Sequence, residues 1–168
     1  MGLDLLAQLC EYVFRSLADL GFKVIIGVTG HDVEDQVNAM KRALERVKTQ
    51  YPVEGFMMME GDLTDFGEHR MDHAGHWETS MLMYLYPDCV DLHQIRTENI
   101  KEINPESSDW SDPGIEGKDP RSGNANKELG KRLVQDISEA IANKAVALLS
   151  ALKDEGKLRL GPPLGGSS

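Results

Sequence analysis

A short apolar segment between two helical patterns limits the fold more than any other feature of this sequence. Residues 22–28 read Phe-Lys-Val-Ile-Ile-Gly-Val, a β-branched run of strand length that leads into Thr29-Gly30-His31. A nearly continuous apolar run is typical of a strand that is buried on both faces in a parallel sheet. Because helical periodicity precedes and follows this run, we expect an α/β protein in which helices connect parallel strands.

The segment before this strand has the period of an amphipathic helix. Residues 3–20 carry apolar side chains at steps of three and four, and charged residues interrupt the run. It is therefore neither a bilayer span nor a signal peptide. The predicted inner face of this helix comprises Leu5, Leu6, Leu9, Tyr12, Val13, Leu17 and Leu20.

The remaining pattern continues the alternation of helices and strands. A helix is predicted over about 34–48 and a strand over 53–59, followed by a helix over about 74–86. A last helix, capped by Asn124 or Asn126, runs to about residue 153, and its predicted inner side includes Val146 and Leu149. The long Pro-containing segment between residues 90 and 123 is typical of a functional loop or lid.

Length and charge exclude several classes of protein. A chain of 168 residues fits one domain, so we predict a single α/β domain over residues 1–155 and a flexible tail over 156–168. The net charge is -10 and no Lys/Arg cluster stands out, so nucleic acid and membrane are not expected partners. The two cysteines, Cys10 and Cys89, lie far apart in apolar segments, which predicts buried thiols and a cytoplasmic location.

Histidines occur where predicted strands and helices meet loops. In parallel α/β sheets ligands bind beyond the carboxyl ends of the strands, and His31 follows such an end. The stretch DHAGHWETS, residues 72–80, places two more histidines three residues apart at a helix start. Imidazoles and carboxylates bind zinc and similar metals. A chemically sensible set for metal binding and acid–base chemistry comprises His31, His73, His76, Glu78 and the nearby Asp72.

Each of these side chains also has a structural alternative. A loop histidine such as His31 can simply hydrogen-bond the backbone, and the pair at the helix start can face solvent. Glu78 occupies a first helical turn, where the helix dipole favours negative charge. The sequence does not separate a metal ligand, a partner of a ligand and a dipole partner at this position.

The absence of several known motifs from the sequence disfavours further classes of reaction. The chain has no G-x-G-x-x-G, no Walker A, no C-x-x-C and no G-x-S-x-G pattern. Dinucleotide, nucleotide triphosphate, thiol-redox and esterase chemistry are therefore disfavoured. Metal-assisted hydrolysis is the class with positive support.

One long segment resembles a known family. Residues 72–92, DHAGHWETSMLMYLYPDCVDL, resemble the H-[AG]-G-x-x-E-T-S-x-M-L-x-x-x-P-x-x-V-D-L signature of the creatininase (creatinine amidohydrolase) family. The segments VIIGVTGHDVEDQV and GIEGKDPRSGNANKELGKRLV agree with two weaker family features, a strand ending in Gly-His and G-D-P-x-x-A-T-x-x-x-G. The resemblance implies a three-layer α/β sandwich with a mainly parallel sheet. It also implies a hydrolase that cleaves C–N bonds of small polar cyclic substrates with two divalent metals, zinc or manganese.

The resemblance assigns roles to individual residues. His31 matches the metal-ligand histidine of the Gly-His loop, and His73 matches the histidine of H-[AG]-G, the proposed proton shuttle. In creatininase a Glu two residues after the Gly-His histidine is a ligand, but this chain has Val33 there. His76 is therefore expected to fill this place, with Glu34 as the weaker substitute. Two tryptophans are candidates for stacking on a flat substrate or for packing only, namely Trp77 and Trp110.

The resemblance covers roughly the C-terminal two thirds of a full family member. The N-terminal βα unit of the family, whose E-x-H-G motif and following Asp supply three further metal ligands, has no counterpart in this sequence. Three arrangements follow: a fragment or one half of a split enzyme, a site completed by another subunit, or a relative that binds without catalysing. A homo-oligomer or a complementary chain is accordingly the expected partner.

Overall fold

The chain forms two compact units in a computed structural model. The described residues are 2–31, 33–65, 73–95, 100–101, 115–121 and 123–158. One unit comprises Met1–Glu60 and Ala140–Ser168, and the other comprises Gly61–Glu139. A single domain over residues 1–155 stays a prediction.

The first unit has the predicted order of helix, strand, helix and strand. Helix α1 spans Leu3–Asp19, strand β1 Val24–Thr29, helix α2 Glu34–Lys48 and strand β2 Glu54–Met59. Each element begins and ends within two residues of the range that periodicity predicts. The local sequence pattern is therefore sufficient to define these four elements.

The two strands form a parallel pair that positions both of their ends. Val24 lies opposite Glu54 and Thr29 lies opposite Met59, so the strands end together at one carboxyl edge. A Cβ atom on Gly55 would collide with the backbone carbonyl of Ile25, so the close approach of the strands requires glycine there. The buried core around this pair consists of Phe14, Ala18, Ile25, Val37, Ala43, Leu44, Val47, Val53 and Met57.

The predicted inner face of α1 is wrong for most of its residues. The buried residues of α1 are Ala7, Phe14 and Ala18. The helix is apolar around most of its circumference, and only one side of it, with Phe14 and Ala18, shares a core with side chains of α2. Five of the residues predicted to be buried are therefore exposed: Leu5, Leu9, Tyr12, Val13 and Leu20.

The described residues of the second unit form helices and one short strand pair. Helix α3 spans His76–Leu85, strand β3 spans Ile100–Lys101, strand β4 spans Ile115–Glu116, and β3 and β4 are parallel. The last helix, α4, spans Lys127–Asp154; its residues up to Glu139 belong to the second unit, and those from Ala140 belong to the first. The long segment to which the sequence assigned no secondary structure thus contributes two short strands.

Of the two asparagines predicted to cap α4, Asn126 is the one that does so. Asn126 Oδ1 accepts a hydrogen bond from the Leu129 N–H at 2.9 Å, which satisfies one of the first backbone donors of the helix. Asn124 instead donates to the Asp119 carbonyl oxygen at 2.8 Å. The cap prediction is confirmed for Asn126.

Other predictions need correction. Val146 and Leu149 are exposed although they continue the apolar pattern of α4, because such a pattern does not say where a helix finds a packing partner. Cys10 is half-buried, and burial raises the pKa of its thiol. Cys89 is exposed, contrary to prediction.

Some of the residues named in the sequence analysis lie outside the described residues, namely Asp72, Trp110 and the tail residues 159–168. Across the described ranges, no helix is long and apolar enough to cross a bilayer.

We expect Gly55→Ala to destabilise the first unit by about 3 kcal/mol or more, because the added methyl group must push the two strands apart. Urea unfolding followed by circular dichroism measures this change. Gly2→Ala is the matched control, since nothing lies within 4 Å of a Cβ atom at Gly2. Equal stabilities of the two variants would contradict the close approach of β1 and β2.

Candidate functional site

His31 lies at the carboxyl edge of the first unit, where the sequence places it. It follows β1 by two residues, and its side chain is exposed. The His31 N–H donates to Thr29 Oγ1 at 3.1 Å. The same buried hydroxyl lies 3.0 Å from both the His31 carbonyl oxygen and Gln36 Oε1, and it can donate to one of these acceptors at a time. The strand end and α2 therefore fix the backbone that presents the imidazole.

A carboxylate that sequence reasoning missed lies at the same edge. Glu60 directly follows β2, and a Cβ atom on Gly30 would be 3.5 Å from its Oε2 atom. Because Thr29 lies opposite Met59, Gly30 and Glu60 are the next positions of two parallel strands. A carboxylate directly after a predicted strand was the signal that could have found Glu60.

Glu34 is the first residue of α2 and is exposed. Val33, at the N-cap, offers no side-chain acceptor, so Glu34 and Asp35 are the acidic groups of the first turn. Negative charge is favoured there by the helix dipole. Glu34 therefore has a structural role at the helix start, and its role as a ligand stays a prediction.

His73 lies in a tightly held turn before α3. Ala74 has a φ of 51°, in the left-handed region that residues other than glycine rarely adopt. Its N–H donates to Glu78 Oε2 at 2.7 Å, and its carbonyl oxygen accepts from Thr79 Oγ1 at 3.1 Å. The turn is thus bonded from the first residues of the helix, and the His73 side chain is exposed beside it.

His76 is buried, whereas His73 is exposed. It is 5% exposed, and its N–H donates to the Lys118 carbonyl oxygen at 3.1 Å. Its ring lies 4.0 Å from the Trp77 ring, between centroids, at an angle of 39°. The expectation that both histidines could face solvent is therefore wrong for His76.

Ser80 connects α3 to the start of α4. Its fully buried Oγ donates to the His76 carbonyl oxygen at 2.5 Å and accepts from the Asn126 N–H at 3.1 Å. A Cβ atom on Gly130 would collide with the Ser80 carbonyl, so glycine lets the two helices approach closely. The histidine turn therefore has a fixed position relative to α4 within the second unit.

An ion pair between Asp119 and Arg121 holds the loop before α4. The Asp119 carboxylate accepts from Arg121 Nη2 at 2.8 Å, from Nε at 3.1 Å and from the Arg121 backbone N–H at 2.9 Å. The side-chain hydrogen bonds from Arg121 lower the pKa of the Asp119 carboxyl below its ordinary value. The adjacent Pro120 is buried, and its carbonyl oxygen accepts from the Ala125 N–H at 3.0 Å.

The predicted ligands are divided between the two units. His31 and Glu34 belong to the first unit, whereas His73 and His76 belong to the second. In the part of the chain that the structure describes, no three His, Cys, Asp or Glu side chains are placed to hold a metal ion. The ligand set His31, His76 and Glu34 stays a prediction.

The match to a family model shows which protein family this chain belongs to. The family model for creatininase, described as creatinine amidohydrolase, matches residues 1–145. The chain belongs to the creatininase family. Among curated proteins, none matches the chain significantly.

Solved creatininase structures share the fold. A creatinine amidohydrolase is 18% identical, with a TM-score of 0.64, over 95% of this chain and 66% of its own. A tryptophan-to-phenylalanine variant of creatininase is 17% identical, with a TM-score of 0.65, over 92% and 65%. A glutamate-to-glutamine variant in complex with creatine is 19% identical, with a TM-score of 0.65, over 86% and 64%. The predicted creatininase-like α/β fold is confirmed, and this chain spans about two thirds of the length of these structures.

We expect Glu78→Ala to destabilise the second unit by about 1 kcal/mol, because the Ala74 N–H loses its acceptor. Glu78→Gln keeps an oxygen acceptor in the same place and should retain most of this stability. Thermal unfolding of the two variants measures the difference. A loss that is as large in Glu78→Gln as in Glu78→Ala would show that charge, rather than the hydrogen bond, stabilises the turn.

The lowered pKa of Asp119 makes the ion pair between Asp119 and Arg121 sensitive to acid. Its contribution to stability is present above the ordinary carboxyl pKa of about 4 and is lost as the pH falls through the lowered, folded-state pKa. We expect Asp119→Asn to lower the free energy of unfolding at pH 6 and to have a smaller effect near pH 2. Urea unfolding at both pH values tests this, and an effect independent of pH would contradict it.

Proposed function

We propose that this chain is an amidohydrolase of the creatininase type. Its substrate is a small cyclic amide or a related polar cyclic compound, and its reaction is hydrolysis of a C–N bond. The family match over residues 1–145 carries the proposal. The complex of a creatininase variant with creatine supports a small, polar substrate class.

His73 is the proposed proton-transfer residue. Hydrolysis adds water across the C–N bond, so that oxygen bonds to carbon and the leaving nitrogen takes a proton. Imidazole can supply and accept that proton near neutral pH. The exposure of His73 and the bonded turn of Ala74, Glu78 and Thr79 support this role, because they present the ring on a rigid helix start.

A divalent metal, zinc or manganese, is the proposed cofactor, as is general in this family. When bound, such a metal supplies an activated water. His31, His76 and Glu34 are the proposed ligands from this chain. Since the described residues of neither unit complete a centre, the proposal includes donors from outside them or from a complementary chain.

A non-catalytic or split-enzyme subunit is the second candidate. It would bind a partner polypeptide or a small ligand without hydrolysing alone. The exposed apolar side chains of α1 favour this candidate, because unpaired apolar surface is typical of proteins that associate. The two candidates differ in whether the purified chain alone holds metal and turns over substrate.

A cytoplasmic location is also proposed. Cys10 and Cys89 are both free thiols. A reducing compartment keeps cysteines in this state.

We expect the purified, metal-loaded chain to hydrolyse creatinine or another small lactam, and His73→Ala to lower kcat by about 100-fold to 10,000-fold. His93→Ala is the matched control, since His93 is also exposed and lies outside the H-A-G turn. Elemental analysis should find zinc or manganese bound to wild type and less in His31→Ala. A chain that binds no metal under metal-replete conditions and hydrolyses nothing would favour the second candidate.

A further inference from the structure

The last residue of β1 places a hydroxyl at a buried position. Thr29 is 9% exposed, and it ends a strand that is otherwise apolar. Valine has nearly the same shape and is favoured in buried strands, so the packing of β1 does not require a hydroxyl here. A buried hydroxyl also lowers stability unless it forms hydrogen bonds. Its hydrogen-bond partners therefore indicate what the hydroxyl is for.

The Thr29 hydroxyl links the backbone of His31 to a side chain of α2. Its oxygen accepts from the His31 N–H at 3.1 Å, and Gln36 Oε1 lies 3.0 Å away as an acceptor. The His31 carbonyl oxygen is equally close, at 3.0 Å, but it already accepts from the Val33 N–H at 2.8 Å. A hydroxyl donates one hydrogen bond, and donation to Gln36 gives each of the two acceptor oxygens a donor.

Both backbone polar groups of His31 are thus held at the start of α2. Val33 is the N-cap of this helix, and its carbonyl oxygen accepts from the Gln36 N–H at 3.1 Å. Gln36 therefore bonds through its backbone to Val33 and through its side chain to Thr29. Because the His31 backbone is fixed on both sides, the position of its exposed ring depends on the two side-chain torsions alone.

A fixed backbone matters for a histidine that binds a metal. Neutral imidazole is a ligand that zinc accepts, and His31 is exposed at the carboxyl edge of the strands, where an ion can reach it. The groups that hold a metal ligand set how accurately it is oriented, and their loss typically lowers metal affinity. The chemistry of this donor fits zinc, and Thr29 is the buried side chain that holds its backbone.

We propose that Thr29 is a positioning residue for metal binding by His31. Its hydroxyl accepts from the His31 N–H and donates to Gln36, so that the ring is presented from a backbone that cannot shift. This inference rests on the proposed function, in which His31 is a ligand from this chain. Neither the strand pattern nor the family resemblance assigns this role to Thr29.

Cobalt(II) binding to the full chain, followed by visible absorption, tests this role. We expect Thr29→Val to raise the cobalt dissociation constant by about 10-fold to 100-fold, and Thr29→Ser, which keeps the hydroxyl, to restore most of the affinity. Thr49→Val is the matched control, since the Thr49 hydroxyl also bonds a backbone carbonyl, that of Arg46 at 2.7 Å, but at the other end of α2. The control should bind cobalt like wild type, and circular dichroism verifies that each variant is folded.

A double-mutant cycle separates positioning from a general loss of structure. Because Thr29 acts through His31, Thr29→Val should not weaken cobalt binding further in a His31→Ala background. If Thr29→Val leaves the affinity unchanged, or weakens it equally in both backgrounds, the role of Thr29 is overturned while His31 remains a ligand. Equal affinities of wild type and His31→Ala, including no binding by either, contradict the proposed ligand itself and overturn the role of Thr29 with it.

Discussion

The parallel pairing of β1 with β2 is the interaction on which the first unit depends. It holds the strand ends in register, and its close approach at Gly55 leaves no room for a side chain. Helix α2 packs on this pair and supplies buried side chains to the core. The carboxyl edge that results brings Glu60 beside the Gly-His turn, although 29 positions separate Glu60 from His31 in the sequence.

The second unit adds several polar contacts to its apolar packing. Ser80 joins α3 to the cap of α4, and Glu78 holds the turn before His76. These bonds explain why polar side chains lie next to histidines in the DHAGHWETS stretch. The same residues that resemble a family signature are also the ones that shape the turn.

Helix α1 shows how a correct period can give a wrong burial assignment. Apolar side chains at three- and four-residue steps identify a helix, but α1 offers two such faces. The face with Phe14 and Ala18 packs against α2, and the face with Leu9 and Tyr12 is left exposed.

The sequence alone determined the elements of the first unit, the family and the histidines worth examining, because periodicity and motifs are local. Asn126 as a cap and His31 at a strand end are examples of information carried by a few adjacent residues. Tertiary structure decided that His76 is buried while His73 is exposed, and that Glu60 lies beside Gly30. It also decided which face of α1 meets α2. Those outcomes depend on contacts between distant segments, and such contacts have no local signature.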